Sequence, residues 1–245
     1  MSENTENTQL VLIAGKSATG KSASLRNLRN PEKVAYLNCE NNKRLPFPAK
    51  FKQANVTDPN QVLTTIKALT GNPEYGPIIV DTLTFMMDMF ETQYVLTASN
   101  GMKAWGEYEQ FFKRLMQDGV AKSDKPIVFM AHTSDVYNEN EMVNETMVKV
   151  KGSLMTKGVE SFFSTVIASK KMPVSKLEPY EKDNKLLNIT DEERMLGFKY
   201  VYQTKLTKET VNERIRSPLG MWTNQETFID NDVQLVLDRL QEYYA

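Results

Sequence analysis

One eight-residue run limits this chain more than any other feature: Gly15-Lys16-Ser17-Ala18-Thr19-Gly20-Lys21-Ser22 follows directly on the apolar segment Leu10-Val11-Leu12-Ile13-Ala14. A short, β-rich apolar run reads as a buried parallel strand. Residues 23–28 read as a helix that stops near Asn30-Pro31. Glycines at both ends of the loop let the backbone curl until successive N–H groups point inward, and a helix starting there adds its positive dipole end. Lys21 adds an ammonium group, so the loop suits a polyanion. A bare glycine turn between strand and helix is the alternative, and the strand–loop–helix setting argues against it.

The rest of the chain repeats the alternation. Further strands are expected at 34–37, 78–80, 127–131 and 165–168, with helices at 59–69, 84–96, 105–120 and 154–163 between them. Such an order predicts an α/β fold, a mostly parallel sheet with helices on both faces. Residues 133–151 are polar and read as a hairpin or a mobile loop. Residues 170–193 are charged without periodicity and read as an insertion or flexible loop. Alternation over 198–206, resumed at 211–215, suggests a C-terminal antiparallel extension, and 233–244 closes as an amphipathic helix. The expected organisation is a flexible stretch over 1–9 and a single domain over 10–245.

Composition removes several chemistries. The formal net charge is −1, so any nucleic-acid contact must come from a local patch. Cys39 and His132 are the only residues of their types, which excludes an intrachain disulfide and a thiolate or imidazole zinc site. A metal would need oxygen ligands, which points to Mg2+. The first nine residues lack a signal-peptide pattern and no apolar run approaches the roughly 20 residues that span a bilayer. The expected location is the cytoplasm, without a membrane partner.

The loop matches the Walker A pattern, so residues 15–22 are the candidate ATP-binding segment, with Lys21 reaching the β- and γ-phosphates and Ser22 on Mg2+. Ligands of such sheets sit beyond the carboxyl ends of the strands. There Pro77-Ile78-Ile79-Val80-Asp81 is an apolar run ending in an acid, and Asp81 is a Mg2+ candidate or an N-cap for the following helix. Glu40 is a candidate for orienting the attacking water, or a solvated loop acid. His132 is a candidate γ-phosphate sensor, or a satisfied buried histidine.

Together these segments resemble the RecA-type ATPase core, specifically the small RecA-like nucleotide-binding proteins of phages, over residues 10–245. The resemblance rests on 15–22, on Val34-Ala35-Tyr36-Leu37-Asn38-Cys39-Glu40, on 78–81 and on 127–132. It implies that Glu40 activates water and that His132 connects the γ-phosphate to a DNA loop over 134–152. Lys149, Lys151 and Lys157 are then the candidate DNA contacts. Glu213-Arg214-Ile215-Arg216-Ser217-Pro218-Leu219-Gly220 is similar to a basic motif of the group, which makes Arg216, then Arg214 and Lys205, candidate fingers reaching a neighbour's ATP. The implied activity is a DNA-stimulated ATPase acting in recombination or annealing. The implied partners are single-stranded DNA, further copies of the chain in a ring or filament, and a single-strand-binding protein, in a phage's host cytoplasm.

Two other readings stay open. Lys16 occupies the place of the signature lysine of MinD/ParA-type nucleotide switches that recruit a protein partner, although the two middle glycines of their loop are missing. The chain could also be a non-hydrolysing structural subunit that binds a nucleoside triphosphate.

Overall fold

The computed structural model describes residues 7–139 and 141–245. Nine strands form one sheet: β1 (Leu10–Gly15), β2 (Ala35–Asn38), β3 (Lys52–Asn55), β4 (Ile78–Asp81), β5 (Ile127–Asn138), β6 (Val143–Val148), β7 (Thr165–Pro173), β8 (Phe198–Gln203) and β9 (Phe228–Asp230). Their order is β3-β2-β4-β5-β1-β7-β8-β9, with β6 attached to β5. The six strands from β3 to β7 in that order are parallel, while β8 runs antiparallel to β7 and β9 antiparallel to β8. The sheet is thus mostly parallel with a C-terminal antiparallel edge.

Alternation along the central strands sends side chains to two separate cores. Leu12, Leu37, Val80, Phe129 and Val166 face one cluster, closed by α1 (Asn60–Leu69), α2 (Leu83–Phe90) and α3 (Gly101–Arg114). Val11, Ile13, Ile79, Val128, Met130 and Ile167 face the other, closed by the C-terminal helix Val233–Tyr244 together with Met221 and Trp222. Both faces being covered is what permits continuous apolar strands. Thr82 caps α2, accepting from Phe85 N at 3.3 Å, and Asn100 caps α3, accepting from Lys103 N at 3.1 Å.

Four expectations change. The helix expected at 23–28 is a single 3₁₀ turn, Ser22–Leu25. Tertiary partners take the groups a helix would pair: the Arg26 guanidinium donates to Ala23 O and Asn231 O, Asn27 donates to Asp232, and Arg29 N donates to Gln234. So short a segment cannot offset the nucleation cost of a regular helix.

A short helix α4 (Ser153–Lys157) precedes β7, and the segment 170–193, expected as an insertion or flexible loop, instead completes β7 and continues as helices α5 (Val174–Glu181) and α6 (Asp191–Leu196). A capping box starts α6, and Gly197 at φ +76° ends it. Val174, Leu177, Leu187 and Ile189 bury a small core against Val201 and Phe228, which is why this charged stretch is ordered.

The partner of β8 is β9, not residues 211–215. That stretch meets the sheet through a bridge from Glu213 to Thr146 and an ion pair from Glu213 to Lys170, and Arg216, just beyond it, bridges to Val166. Of the stretch 1–9 expected to be flexible, residues 1–6 lie outside the described residues. Asn7 is tied down by donating to the Val120 and Lys125 carbonyls, and Gln9 O accepts from Ile127 N at 3.0 Å. The alternative at 133–151 is settled as a hairpin, with Thr133 opposite Val148 and Asn138 opposite Val143.

Among the described residues no helix is long and apolar enough to cross a membrane. Phe111 is fully buried on α3 and stacks on Phe90 with ring centroids 4.8 Å apart. Phe111→Ala is expected to cost about 3–5 kcal/mol, read as a lower denaturant midpoint. A loss under about 1 kcal/mol would mean that this core can collapse around the change.

Candidate functional site

The loop of residues 15–22 leaves β1 at Gly15, which pairs in register with His132 on β5. A Cβ at Gly15 would stand 2.5 Å from Ser169 O and 2.7 Å from Thr19 Oγ1, so only glycine lets β7 and the loop close this tightly. Ala18 at φ +59° and Gly20 at φ +91° turn the backbone through the left-handed region. Lys21 is buried under the curl, and its ammonium donates to Gly15 O and Lys16 O, both at 2.8 Å. Burial lowers its pKa to about 8 despite the nearby Asp81 and Glu40 carboxylates. The positive potential here comes from this ammonium and from loop N–H groups, since one 3₁₀ turn carries little of the dipole expected of a helix.

Three strand ends converge on the loop. Asp81 closes β4 with 1% exposure. Its Oδ2 accepts from Ser22 Oγ at 2.9 Å and from Tyr36 OH at 2.8 Å, while its buried Oδ1 has no hydrogen-bond partner. Burial raises its pKa, and the same burial together with Asp81 pushes the Tyr36 phenol up. Thr82 rather than Asp81 caps α2, so the capping alternative for Asp81 falls away.

His132 lies 3.3 Å from Lys21 through Nδ1 and 3.2 Å from Glu40 Oε1 through Nε2. An ammonium cannot accept, so Nδ1 is the acceptor and the ring proton sits on Nε2, donating to Glu40. The other Glu40 oxygen accepts from Lys43 Nζ at 2.8 Å. The bonds from His132 and Lys43 outweigh burial and hold the Glu40 carboxyl down at about 2. Glu40 is buried and paired, unlike a solvated loop acid, whereas His132 has both ring nitrogens engaged, which fits a satisfied histidine as well as a sensor.

These groups line a 540 Å³ cleft that runs from Glu40 and Asp81 across the loop to Tyr200 and Asn231. Ser22 Oγ and the unpartnered Asp81 Oδ1 suit a Mg2+ that keeps most of its ligands as water and phosphate, the usual habit of that ion. Among the described residues no group of three or more His, Cys, Asp or Glu is placed to hold a metal ion.

Other expected site residues stand apart. Lys16 is exposed and pairs with Asp135 of the hairpin at 2.7 Å. Lys149 is exposed beside Glu40, His132 and Asp88, and its backbone N donates to His132 O. Lys151 pairs with Glu91 and Lys157 with Glu109, so two of the three expected DNA lysines are engaged within the chain. Arg216 is exposed and does not line the cleft. Arg214 bridges Glu145 and Glu160, and Lys205 donates to Asn224.

Sequence reasoning missed Tyr36, Lys43, Ser169 and Asn231. Lys43 had a signal, lying three residues after Glu40. Tyr36 stands in an apolar strand, where nothing distinguishes a core tyrosine from one bonded to Asp81.

A loop that brings a lysine, a hydroxyl and a strand-end aspartate to one point binds the phosphates of a nucleotide, and with this sheet it places the chain among the P-loop nucleoside triphosphatases. More narrowly, the chain belongs to the AAA-domain family, whose sequence profile matches residues 7–202. No curated protein matches it. An AAA domain is a nucleotide-binding ATPase domain, typically with Mg2+.

Glu40 gives a test by pH. Its folded pKa is depressed, so the unfolded chain takes up a proton first as pH falls, and the stabilisation present above pH 4.5 is lost on the way down through about 2. His132 and Lys43 bond to it, and Asp81, Lys21 and Lys149 are its other charged neighbours. Wild type is expected to exceed Glu40→Gln by about 1–2 kcal/mol at pH 7, after allowance for screening at the cleft mouth. That gap should narrow between pH 4.5 and 2 in denaturant titrations. A gap that stays constant across this window would contradict the Glu40 assignment.

Proposed function

We propose that this chain is a Mg2+-dependent ATPase with a RecA-like core that works as an oligomer on single-stranded DNA in recombination or annealing. The observation that supports the reading is the hydrogen-bonded chain Lys21–His132–Glu40, which runs from under the phosphate loop to the carboxylate assigned here to orient water. Lys21 exchanges the carbonyls of Gly15 and Lys16 for β- and γ-phosphate oxygens, since charge-assisted bonds to phosphate are the stronger ones. Ser22 and Asp81 would hold a Mg2+, which would supply positive charge to the phosphates. A water oriented by Glu40 attacks the γ-phosphorus in line, the bond to the β–γ bridging oxygen breaks, ADP leaves with that electron pair, and the water's proton passes to an oxygen of the phosphate being released. Glu40, held near 2 by its two partners, stays ionised and orients the water without keeping its proton.

The DNA reading is supported by connectivity. β5 carries His132 and continues unbroken into the β5–β6 hairpin, and the loop is tied to the same hairpin through Lys16 and Asp135. A γ-phosphate bound at His132 therefore bears on the hairpin, where exposed Lys149 and Tyr137 are the leading phosphate contact and stacking platform. Lys151 and Lys157 contribute only if a single strand outcompetes Glu91 and Glu109. Arg216, exposed and outside its own cleft, is free to serve a neighbour's ATP. The engagement of Lys16 by Asp135 gives the MinD/ParA-like switch no support.

Glu40→Gln should bind ATP as wild type does while turnover falls by about 10²-fold or more. Retained turnover would remove Glu40 from the mechanism. Fluorescence polarisation with a labelled oligonucleotide should show ATP-dependent binding that weakens steeply with salt and drops in Lys149→Glu. Binding absent at every salt concentration would remove the DNA half of the reading and leave the ATPase half standing.

A further inference from the structure

The sheet order divides the cleft into two ends. Glu40, Asp81 and His132 come from β2, β4 and β5 on one flank of β1, whereas Tyr200 stands on β8 and Asn231 directly follows β9 on the other flank. A triphosphate lying across the end of β1, with its γ-phosphate at Lys21 and His132, therefore carries its base toward the β8–β9 side.

That side has an exposed ring and an oriented buried amide. Tyr200 is 39% exposed, and its ring packs against Gly20: a Cβ placed on Gly20 would lie 3.3 Å from Tyr200 Cδ1 and 3.0 Å from Asn231 Oδ1. The ring and the amide oxygen thus share one corner of the cleft. Asn231 is only 4% exposed, and its amide orientation follows from its partners. Ser169 Oγ spends its one proton on Thr19 O at 2.8 Å, so it can only accept from Asn231, at 3.2 Å, and the atom facing it is Nδ2. The Asn231 main-chain oxygen is taken by Arg26 at 3.1 Å. Oδ1 is left as an acceptor with no donor from the chain, aimed to the Gly20 side of the cleft.

We propose that Tyr200 and Asn231 form the base subsite and select an adenine nucleotide. The Tyr200 face stacks on the purine, and Asn231 Oδ1 accepts from the exocyclic 6-amino group. Guanine presents a carbonyl oxygen at that position, and two acceptors facing each other leave both unpaired. The inference rests on the phosphate-loop reading above, and inorganic tripolyphosphate, which has no base, separates the two.

Calorimetry with ATP, GTP and tripolyphosphate, each with Mg2+, provides the test on the full chain. Wild type should bind ATP about tenfold or more tightly than GTP. Tyr200→Leu should weaken ATP by about tenfold, the scale of one base–aromatic stack. Asn231→Ala should bring the ATP-to-GTP ratio toward one. Both variants should bind tripolyphosphate as wild type does, because Ser169 keeps its bond to the Thr19 carbonyl, and this also reports that they are folded. Equal wild-type affinity for ATP and GTP, or undiminished ATP binding in Tyr200→Leu, would overturn the base subsite while leaving the phosphate loop intact. A wild-type chain that binds neither tripolyphosphate nor any nucleotide would overturn both.

Discussion

A buried ammonium group organises this molecule. Lys21 places its three protons on Gly15 O, Lys16 O and His132 Nδ1, and in doing so draws the glycine loop down over the end of β1. A charged group out of water is costly unless its bonds are satisfied, so the loop must supply carbonyls and cannot relax away from the lysine. The carbonyl oxygens that hold Lys21 are available only because the loop curls, and the curl needs Gly15 against Ser169 and Gly20 at a positive φ. The register of the sheet does the rest. With β5 between β1 and β4, His132 stands beside Gly15, and Asp81, two strands away from β1, still reaches Ser22.

A chain of net charge −1 lines its cleft with both signs. Lys21, Arg26, Lys43, Arg44 and Lys199 stand against Glu40, Asp81, Glu193 and Asp230, so the placement of Lys21 under the loop, and not a field of one sign, meets an approaching polyphosphate. Beyond the cleft several basic residues are paired off. Lys16, Lys151, Lys157 and Arg214 are each paired with a carboxylate, and these pairs fasten the hairpin, α3 and the 211–216 segment to the body of the fold. Exposed pairs of this kind add little stability singly. Their effect is to fix where the hairpin stands relative to the loop.

How much of this was legible depended on burial. β1, β2, β4 and the first halves of β5 and β7 are buried and appear as apolar runs, and those of β2, β4 and β5 lead into a polar residue that meets the cleft. β3, Lys52-Gln53-Ala54-Asn55, is an exposed edge strand held by its pairing with β2, and it carries no apolar pattern to read. The order within residues 170–193 comes from four apolar side chains meeting Val201 and Phe228, contacts between segments that local periodicity does not report. At the site, the loop, Asp81, Glu40 and His132 were legible because strand ends and residue types marked them. Ser169 and Asn231 were not, since an interior serine and a loop asparagine acquire meaning only when β7 and the chain after β9 are brought against Gly20.

The same geometry explains why one imidazole can matter so much. His132 links the lysine under the loop to the carboxylate across the cleft, and each of its ring nitrogens is committed to a different partner. Under the proposed reading, a γ-phosphate that draws Lys21 away removes the donor at Nδ1, and a ring that turns this nitrogen to a new donor alters what Nε2 offers Glu40, while Lys43 still holds the second carboxylate oxygen. Because the His132 carbonyl also accepts from Lys149 N, any shift of the histidine is felt at the base of the hairpin without a further intermediary.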